Sequence, residues 1–196
     1  VDVLLDGFPY SSDLLRVVSD YYSLILDSSN AIKYFEKAVE IKPRSSVLCM
    51  SLAVQYMNSG CGEKAEVLFK KSISIDPEYS SALWSLTLLK KGRISPLMLK
   101  HVETLINDGA SGSDRVILNF TAALCYKGND YIKELEYLKV ANESAREYRK
   151  VDFKATSEFY ALNKSAINES SIKEYKELSH SKASPIFIAA MPRSGT

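Results

Sequence analysis

The chain has 196 residues, 46% hydrophobic and 25% charged, which suits one medium domain or two small ones and argues against disorder. Its 25 Lys plus Arg balance 24 Asp plus Glu, leaving a formal net charge of +1. That balance argues against a nucleic-acid or membrane surface as main partner, because both need a concentrated basic footprint. With 8 Gly and 6 Pro the chain has few turn residues for a barrel or sandwich, and it reads as mostly helical.

Residues 1–11 form a lead-in without the basic flank and cleavage pattern of a signal peptide, and no apolar stretch approaches the roughly 20 residues of a membrane span. The missing initial Met reads as a trimmed or cloned fragment. Cys49, Cys61 and Cys125 are odd in number and widely spaced. They suit reduced core thiols in a cytoplasmic protein better than a disulfide framework or a CxxC zinc pair.

From Ser12 the chain carries an internal repeat with a period of 34 residues. The block 12–45 places Leu15, Val18, Ser19, Tyr22, Ala31, Phe35, Ala38 and Pro43. The block 46–79 places Cys49, Leu52, Ala53, Tyr56, Ala65, Phe69, Ser72 and Pro77 at the same positions. Leu15, Val18, Ser19 and Tyr22 lie at i, i+3, i+4 and i+7, one face of a helix, and Ala31, Phe35 and Ala38 mark a second. Small residues at Ser19, Ala31, Ala53 and Ala65 let the two helices approach, while Tyr and Phe fill the space between them. Asp27-Ser-Ser-Asn and Gly60-Cys-Gly supply the turns. Pro43 and Pro77 end the second helices, since proline lacks an N–H donor and clashes with the preceding turn. Two gapless copies of this pattern resemble the tetratricopeptide repeat.

The unit 80–112 is degenerate: Leu83, Leu86 and Thr87 keep the first-helix pattern, but Lys90 stands where an aromatic is expected. Ser95-Pro96 reads as an N-cap and first helical residue, followed by a face of Met98, Val102 and Leu105. A loop over Gly109–Ser113 breaks the register. The unit 113–147 reads as a further helix pair, with Ile117, Phe120, Thr121 and Leu124 on the first helix, a turn at Gly128-Asn-Asp, and Leu138 and Ala141 on the second. Residues 148–184 read as a helical bridge, with short helices over 153–163 and 171–179, and a linker over Ser179–Ser184. The expected architecture is an all-α helical-hairpin superhelix, an α-α solenoid.

In such a stack the first helices line a concave face. Block one offers Arg16, Asp20 and Ser23 to it, block two Met50, Val54 and Met57, and unit three Trp84 and Leu88, so the face should turn from polar to apolar along its length. Two readings of the apolar end stand open. It is a peptide groove with Met and Trp as adaptable anchors, or a patch covered by the chain's own later helices. The Lys/Asn cluster with which some co-chaperone repeats capture a C-terminal carboxylate does not occur at these positions.

Pro185–Ala190 is a continuous apolar run of the kind found in buried parallel strands, and it leads into Met191-Pro-Arg-Ser-Gly-Thr196. A strand followed by a Gly- and hydroxyl-containing loop is how phosphate-cradling loops begin, though the GxxxxGK[ST] pattern is absent. Strand-Pro-Arg-Ser-Gly-Thr resembles the opening of the sulfotransferase fold, and its order after the repeats resembles the bacterial tetratricopeptide-sulfotransferase proteins. That resemblance implies that residues 185–196 begin a truncated α/β sulfotransferase domain. Arg193, Ser194, Gly195 and Thr196 would hold the 5′-phosphate of the co-substrate 3′-phosphoadenylyl sulfate (PAPS), with Arg193 also neutralising the transferring group. The family's base and acceptor pocket lie downstream, so the fragment itself is expected to be inactive and to hold no cofactor. The repeats would serve as a scaffold for a protein or peptide partner, for the catalytic domain itself, or for a second copy of the chain. A free-standing, non-catalytic peptide adaptor is the alternative.

The remaining signals read as ordinary surface. His101 and His180 lack neighbouring ligands at metal spacing, so no metal is expected. The Asn-x-Ser/Thr triplets at Asn119, Asn142, Asn163 and Asn168 read as coincidences. The basic stretch around Arg146, Arg149 and Lys150 is broken by Glu143, Glu147 and Asp152 and reads as a solvated helix face.

Overall fold

The computed structural model describes residues 11–149 and 157–162. The chain divides into two compact units, Val1–Lys150 and Val151–Thr196. The first unit is a run of helices: α1 (Ser12–Leu24), α2 (Ser28–Ile41), α3 (Ser46–Asn58), α4 (Gly62–Ile75), α5 (Ser80–Leu89), α6 (Pro96–Asn107), α7 (Gly112–Tyr126) and α8 (Tyr131–Arg149). Residues 157–162 of the second unit are also helical, with Phe159 and Tyr160 edge to face at 6.0 Å. The strand expected over 185–190, the phosphate loop of Arg193–Thr196, the second bridge helix at 171–179 and the linker all lie outside the described residues.

Several helix starts are set by side-chain caps that satisfy orphan N–H groups of the first turn. Ser11 Oγ accepts from Leu14 N at 3.3 Å, Ser45 Oγ from Leu48 N at 3.3 Å, and Ser95 Oγ from Met98 N at 3.2 Å. Asp27 does the same for Asn30 N at 3.1 Å. The first turn therefore lies one step earlier than the Asp27-Ser-Ser-Asn run suggests: Asp27 is already the cap of α2, and the turn itself is 25–27. Its middle residue, Leu26, has φ 61, and the matching residue of the second block is Gly60 at φ 78. In both turns the N–H two residues past the helix cap reaches back to the helix, Asp27 N to Tyr22 O at 2.9 Å and Cys61 N to Tyr56 O at 2.8 Å.

The first two hairpins pack as the period predicts. Leu15, Val18, Tyr34, Ala38 and Leu48 form one buried cluster, and Phe35, Leu52, Ala53, Tyr56, Ala65, Phe69 and Leu86 form the next. Phe35 appears in the second cluster, so each hairpin supplies part of its successor's core. Removing a ring as buried as Phe69 would cost about 3–5 kcal/mol. The small positions are fully buried at Ser19, Ala31, Ala53 and Ala65. The buried serines satisfy their hydroxyls: Ser19 Oγ donates to Leu15 O at 2.7 Å within its helix, and Ser72 Oγ donates to Ser46 O at 2.8 Å across the α3–α4 pair.

The third hairpin is built differently. Its connection spans residues 90–95, against 25–27 and 59–61 in the first two. α5 and α6 do not pack on each other as the other hairpin partners do; both pack on α7 instead. The cause is side-chain bulk. The position of Ala31 and Ala65 falls, 34 residues on, to Leu99, with Met98 beside it, and neither allows the close approach that alanine allows. Met98, Leu105 and Ile106 join Leu83, Val102, Leu118 and Ala122 in a third cluster centred on α7. Gly92 secures this arrangement at φ 81. A Cβ there would collide with the Leu124 carbonyl, so the connection crosses the end of α7 with backbone lying directly against backbone.

The fourth pair corrects the expected face. On α7 the buried residues are Leu118, Asn119, Thr121, Ala122 and Ala123, whereas Ile117, Phe120 and Leu124 are half-buried. Of the aligned stripe only Thr121 is in the core, and Ile117, Phe120 and Leu124 lie off it, because α7 receives α5, α6 and α8 on its other sides. Asn119 is buried with its amide donating to Arg115 O at 2.7 Å. Of the three cysteines expected in the core, Cys49 is buried, Cys125 half-buried and Cys61 exposed, the last because it caps α4 at the turn. At the seam of α6, α7 and α8, Glu103 accepts from Tyr126 (2.7 Å) and Tyr137 (3.1 Å), whose rings stack at 5.8 Å.

Two outcomes follow from this packing. Gly92→Ala should destabilise the fold strongly, since it adds steric overlap with backbone to a left-handed φ, while Gly60→Ala meets no atom within 4 Å and should cost only about 1 kcal/mol. Thermal melts of the two variants will show the difference, and equal melting temperatures would remove the close approach at Gly92. The second outcome concerns alkaline pH. Burial first, then the neighbouring Glu36 and Glu103 carboxylates, push the Tyr56 and Tyr137 phenols up to about 12. The folded chain then keeps protons that the unfolded chain releases near pH 10, so their contribution is whole below about pH 10 and is lost as pH climbs toward 12. Melting temperature should fall through that window, and Tyr137→Phe should flatten the fall.

Candidate functional site

The first helices α1, α3 and α5 each bury one stripe and turn another away from it. On α3 the buried stripe is Leu48, Cys49, Leu52, Ala53 and Tyr56. Met50, Val54 and Met57 lie on the other side of the helix, half-buried, with their inner atoms against the Phe35–Phe69 cluster. On α5 the buried stripe is Leu83, Leu86, Thr87, Ala82 and Ser80. Trp84 is half-buried beside it and Leu88 is 45% exposed. α3 and α5 touch, so the Met50–Val54–Met57 stripe and the Trp84–Leu88 stripe lie on neighbouring first helices.

The polar end lies on α1. Arg16 and Asp20 are exposed and pair with each other at 3.3 Å, one helical turn apart, and Ser23 Oγ donates to Ser19 O at 2.8 Å. These groups satisfy one another locally, and such an exposed pair contributes little to stability. The change from polar to apolar that the residue order suggests is thus present along α1, α3 and α5.

Sequence reasoning passed over several residues of the same face. Val47, 46% exposed, extends the α3 stripe by one turn below Met50 and Ser51. Ser81 and Ser85 separate Trp84 and Leu88 from the next turn of α5 with small polar side chains. Ile117, Phe120 and Leu124, assigned to the core by alignment, are half-buried on the side of α7 away from its buried stripe. The signal that would have found them is the Leu118–Ala122 spacing, which competes with Ile117–Thr121 for the same core and wins on burial.

Charge around the α5 end is held by Glu66. Its carboxylate accepts from Lys70 Nζ at 2.8 Å and Lys90 Nζ at 2.9 Å, and these two bonds hold it ionised, below the usual carboxylate range. Lys90, the residue that stands in place of the repeat's aromatic, therefore replaces a ring contact with an ion pair to α4. At Tyr56, where the aromatic is kept, the hydroxyl donates to Glu36 on α2 and Lys64 lies 5.0 Å above the ring. Among the described residues no group of three His, Cys, Asp or Glu is arranged to hold a metal ion, and no helix is long and apolar enough to cross a membrane. The five residues of the apolar row, Met50, Val54, Met57, Trp84 and Leu88, include no nucleophile, acid or base. What the arrangement offers chemically is apolar contact area with flexible Met and broad Trp side chains.

Comparison with known proteins defines the fold. No protein-family model matches the chain, and no curated protein matches it. Among solved structures, MamA superposes with a TM-score of 0.60 at 18% identity, over 76% of this chain and 87% of that one. The C-terminal part of a TPR repeat-containing protein from Cytophaga hutchinsonii gives 0.54 at 17% identity, over 80% and 63%. MamA residues 41 to end from Desulfovibrio magneticus RS-1 give 0.53 at 16%, over 87% and 97%. At these identities the likeness is one of fold, and that fold is an all-helical solenoid of the tetratricopeptide type.

Proposed function

We propose that this chain is a protein-interaction module that holds a peptide against its concave face. The observation that carries this reading is the row Met50, Val54, Met57, Trp84 and Leu88, which the packing leaves half-buried to exposed on successive first helices. Beyond the atoms that pack on the Phe35–Phe69 cluster, this row keeps apolar surface open to solvent on both helices. Methionine adapts its shape and tryptophan supplies a broad contact, the combination expected where a few anchors carry most of the binding energy. The partner that fits is a segment with apolar side chains, lying across α3 and α5 with its polar end toward Arg16 and Asp20.

Trp84 is the sole tryptophan, so its emission reports on the face directly. Titration of the intact protein with apolar-rich synthetic peptides should shift that emission saturably. Leu88→Glu, at an exposed position, should weaken the best binder by about tenfold or more without lowering the melting temperature. Unchanged affinity in that variant would remove the groove from consideration.

A second reading rests on the sequence of the tail, Pro185–Thr196, and its resemblance to the opening of the sulfotransferase fold. In that reading the parent protein transfers a sulfuryl group from PAPS. Arg193, Ser194, Gly195 and Thr196 contribute to the phosphate site, and the repeats orient the catalytic domain or recruit its acceptor in the cytoplasm. Isothermal titration of the parent protein with PAP, the desulfated product, should then show binding that Arg193→Ala weakens. A folded parent that binds no PAP would end this reading and leave the adaptor reading intact.

A further inference from the structure

The opened third hairpin leaves a second surface, between the second helices α4 and α6, that the repeat pattern does not anticipate. Two clefts meet there at Ser95 and Met98. The first, about 350 Å³, is floored by Leu86, Ile94 and Met98 and rimmed by Lys70, Lys90 and Arg93. The second, about 520 Å³, continues along α6 between Ile73, Leu97 and Met98, with Lys100 and His101 on its edge. Both run along one stripe of α4, since Glu66, Lys70 and Ile73 fall at i, i+4 and i+7, and the stripe leads to Pro77 just beyond the helix end. His101 Nε2 donates to the Pro77 carbonyl at 2.8 Å and fixes the far end.

The charges of this furrow are predominantly positive. Lys70, Lys90, Arg93 and Lys100 line it against a single carboxylate, Glu66, which is already engaged by Lys70 and Lys90. Arg93 and Lys100 are exposed and no carboxylate pairs with them among the described residues. Lys91, held at φ 52 in the adjoining connection, adds a further cation to the same end. Leu97 stands 79% exposed on the rim, an apolar side chain that packing alone does not place there. In a protein of net charge +1 this concentration is local.

The geometry points to a second binding surface on this chain: the α4–α6 furrow takes an acidic amphipathic peptide segment of another protein. Its apolar side chains lie on Leu86, Ile94, Leu97 and Met98, and its carboxylates lie over Arg93 and Lys100. The floor is aliphatic and offers bases no aromatic ring to stack on, so it suits the apolar side chains of a peptide better than a single-stranded nucleic acid. This surface is separate from the concave row, so the two can be occupied together and tested apart.

The test uses the intact chain and a short fluorescein-labelled peptide in which Leu and Glu alternate, read by anisotropy, with a Leu/Lys peptide as its counterpart. The acidic peptide should bind, bind less well as salt rises, and exceed the basic one. Arg93→Glu with Lys100→Glu should weaken it at least about tenfold, Arg93→Gln with Lys100→Gln less so, and Leu97→Glu should also weaken it. Leu88→Glu should leave it unchanged. Equal binding of both peptides, no binding of the acidic peptide, or an unaffected charge-reversal variant would overturn the inference. Loss of binding in Leu88→Glu would move the peptide to the concave face, overturning the furrow while sparing the adaptor reading. Displacement of the peptide by polyuridylate, or self-association that the charge-reversal variant abolishes, would assign the furrow to RNA or to a second copy and overturn it as well.

Discussion

The close approach of paired helices at small residues is the constraint on which this molecule depends. Ser19 and Ala31 in the first hairpin, and Ala53 and Ala65 in the second, are fully buried, and Phe35 and Phe69 fill the space to the next hairpin. Helices can come this near only where one side chain is absent or nearly so, because interiors are packed to crystal density and an added methylene has nowhere to go. Every other feature is placed relative to those contacts. When small residues face each other, the hairpin closes and hands its outer ring to the successor. When Met98 and Leu99 take the place of alanine, the hairpin opens and α7 becomes the common support of α5 and α6.

The same event shapes both surfaces. On the side of the first helices, α3 and α5 touch and turn the stripes away from the core to one side, so Met50, Val54, Met57, Trp84 and Leu88 form a row. On the side of the second helices, the loss of regular stacking at α6 uncovers a furrow with an apolar floor and a cationic rim. Charge follows packing here. Lys90 brings no ring to the aromatic position and reaches Glu66 instead, while the cations of the longer connection, Lys91 and Arg93, are left facing solvent. Further along, Glu103 gathers Tyr126 and Tyr137 and ties α6 to α7 and α8 where hairpin contacts have weakened.

Much of this is legible in the amino-acid order, and the reason is periodic. A repeat of 34 residues states its core positions twice, so Leu15, Val18, Tyr56, Phe35 and Phe69 are assignable from spacing alone, and all five are buried. The cap at Ser95 and the stops at Pro43 and Pro77 are local chemistry, decided within a few residues of each helix end. The apolar row on α3 and α5 is also readable, because it is the complement of a recognisable buried stripe. The fourth pair is offset by one step from its expected face. Ile117, Leu118, Thr121 and Ala122 offer two overlapping stripes, and a single helix cannot say which neighbour it will meet.

The sequence by itself determined the helices, their order, the cores of the first two hairpins and the apolar row on α3 and α5. Each of these depends on spacing within one helix or on chemistry at its ends. Only the tertiary structure decided that α5 and α6 part, that Gly92 lies against the Leu124 carbonyl, and that Lys70, Lys90, Arg93 and Lys100 line one furrow. Those facts depend on how closely residues far apart in the chain can approach, and steric volume at the contact sets that distance without leaving a period in the sequence.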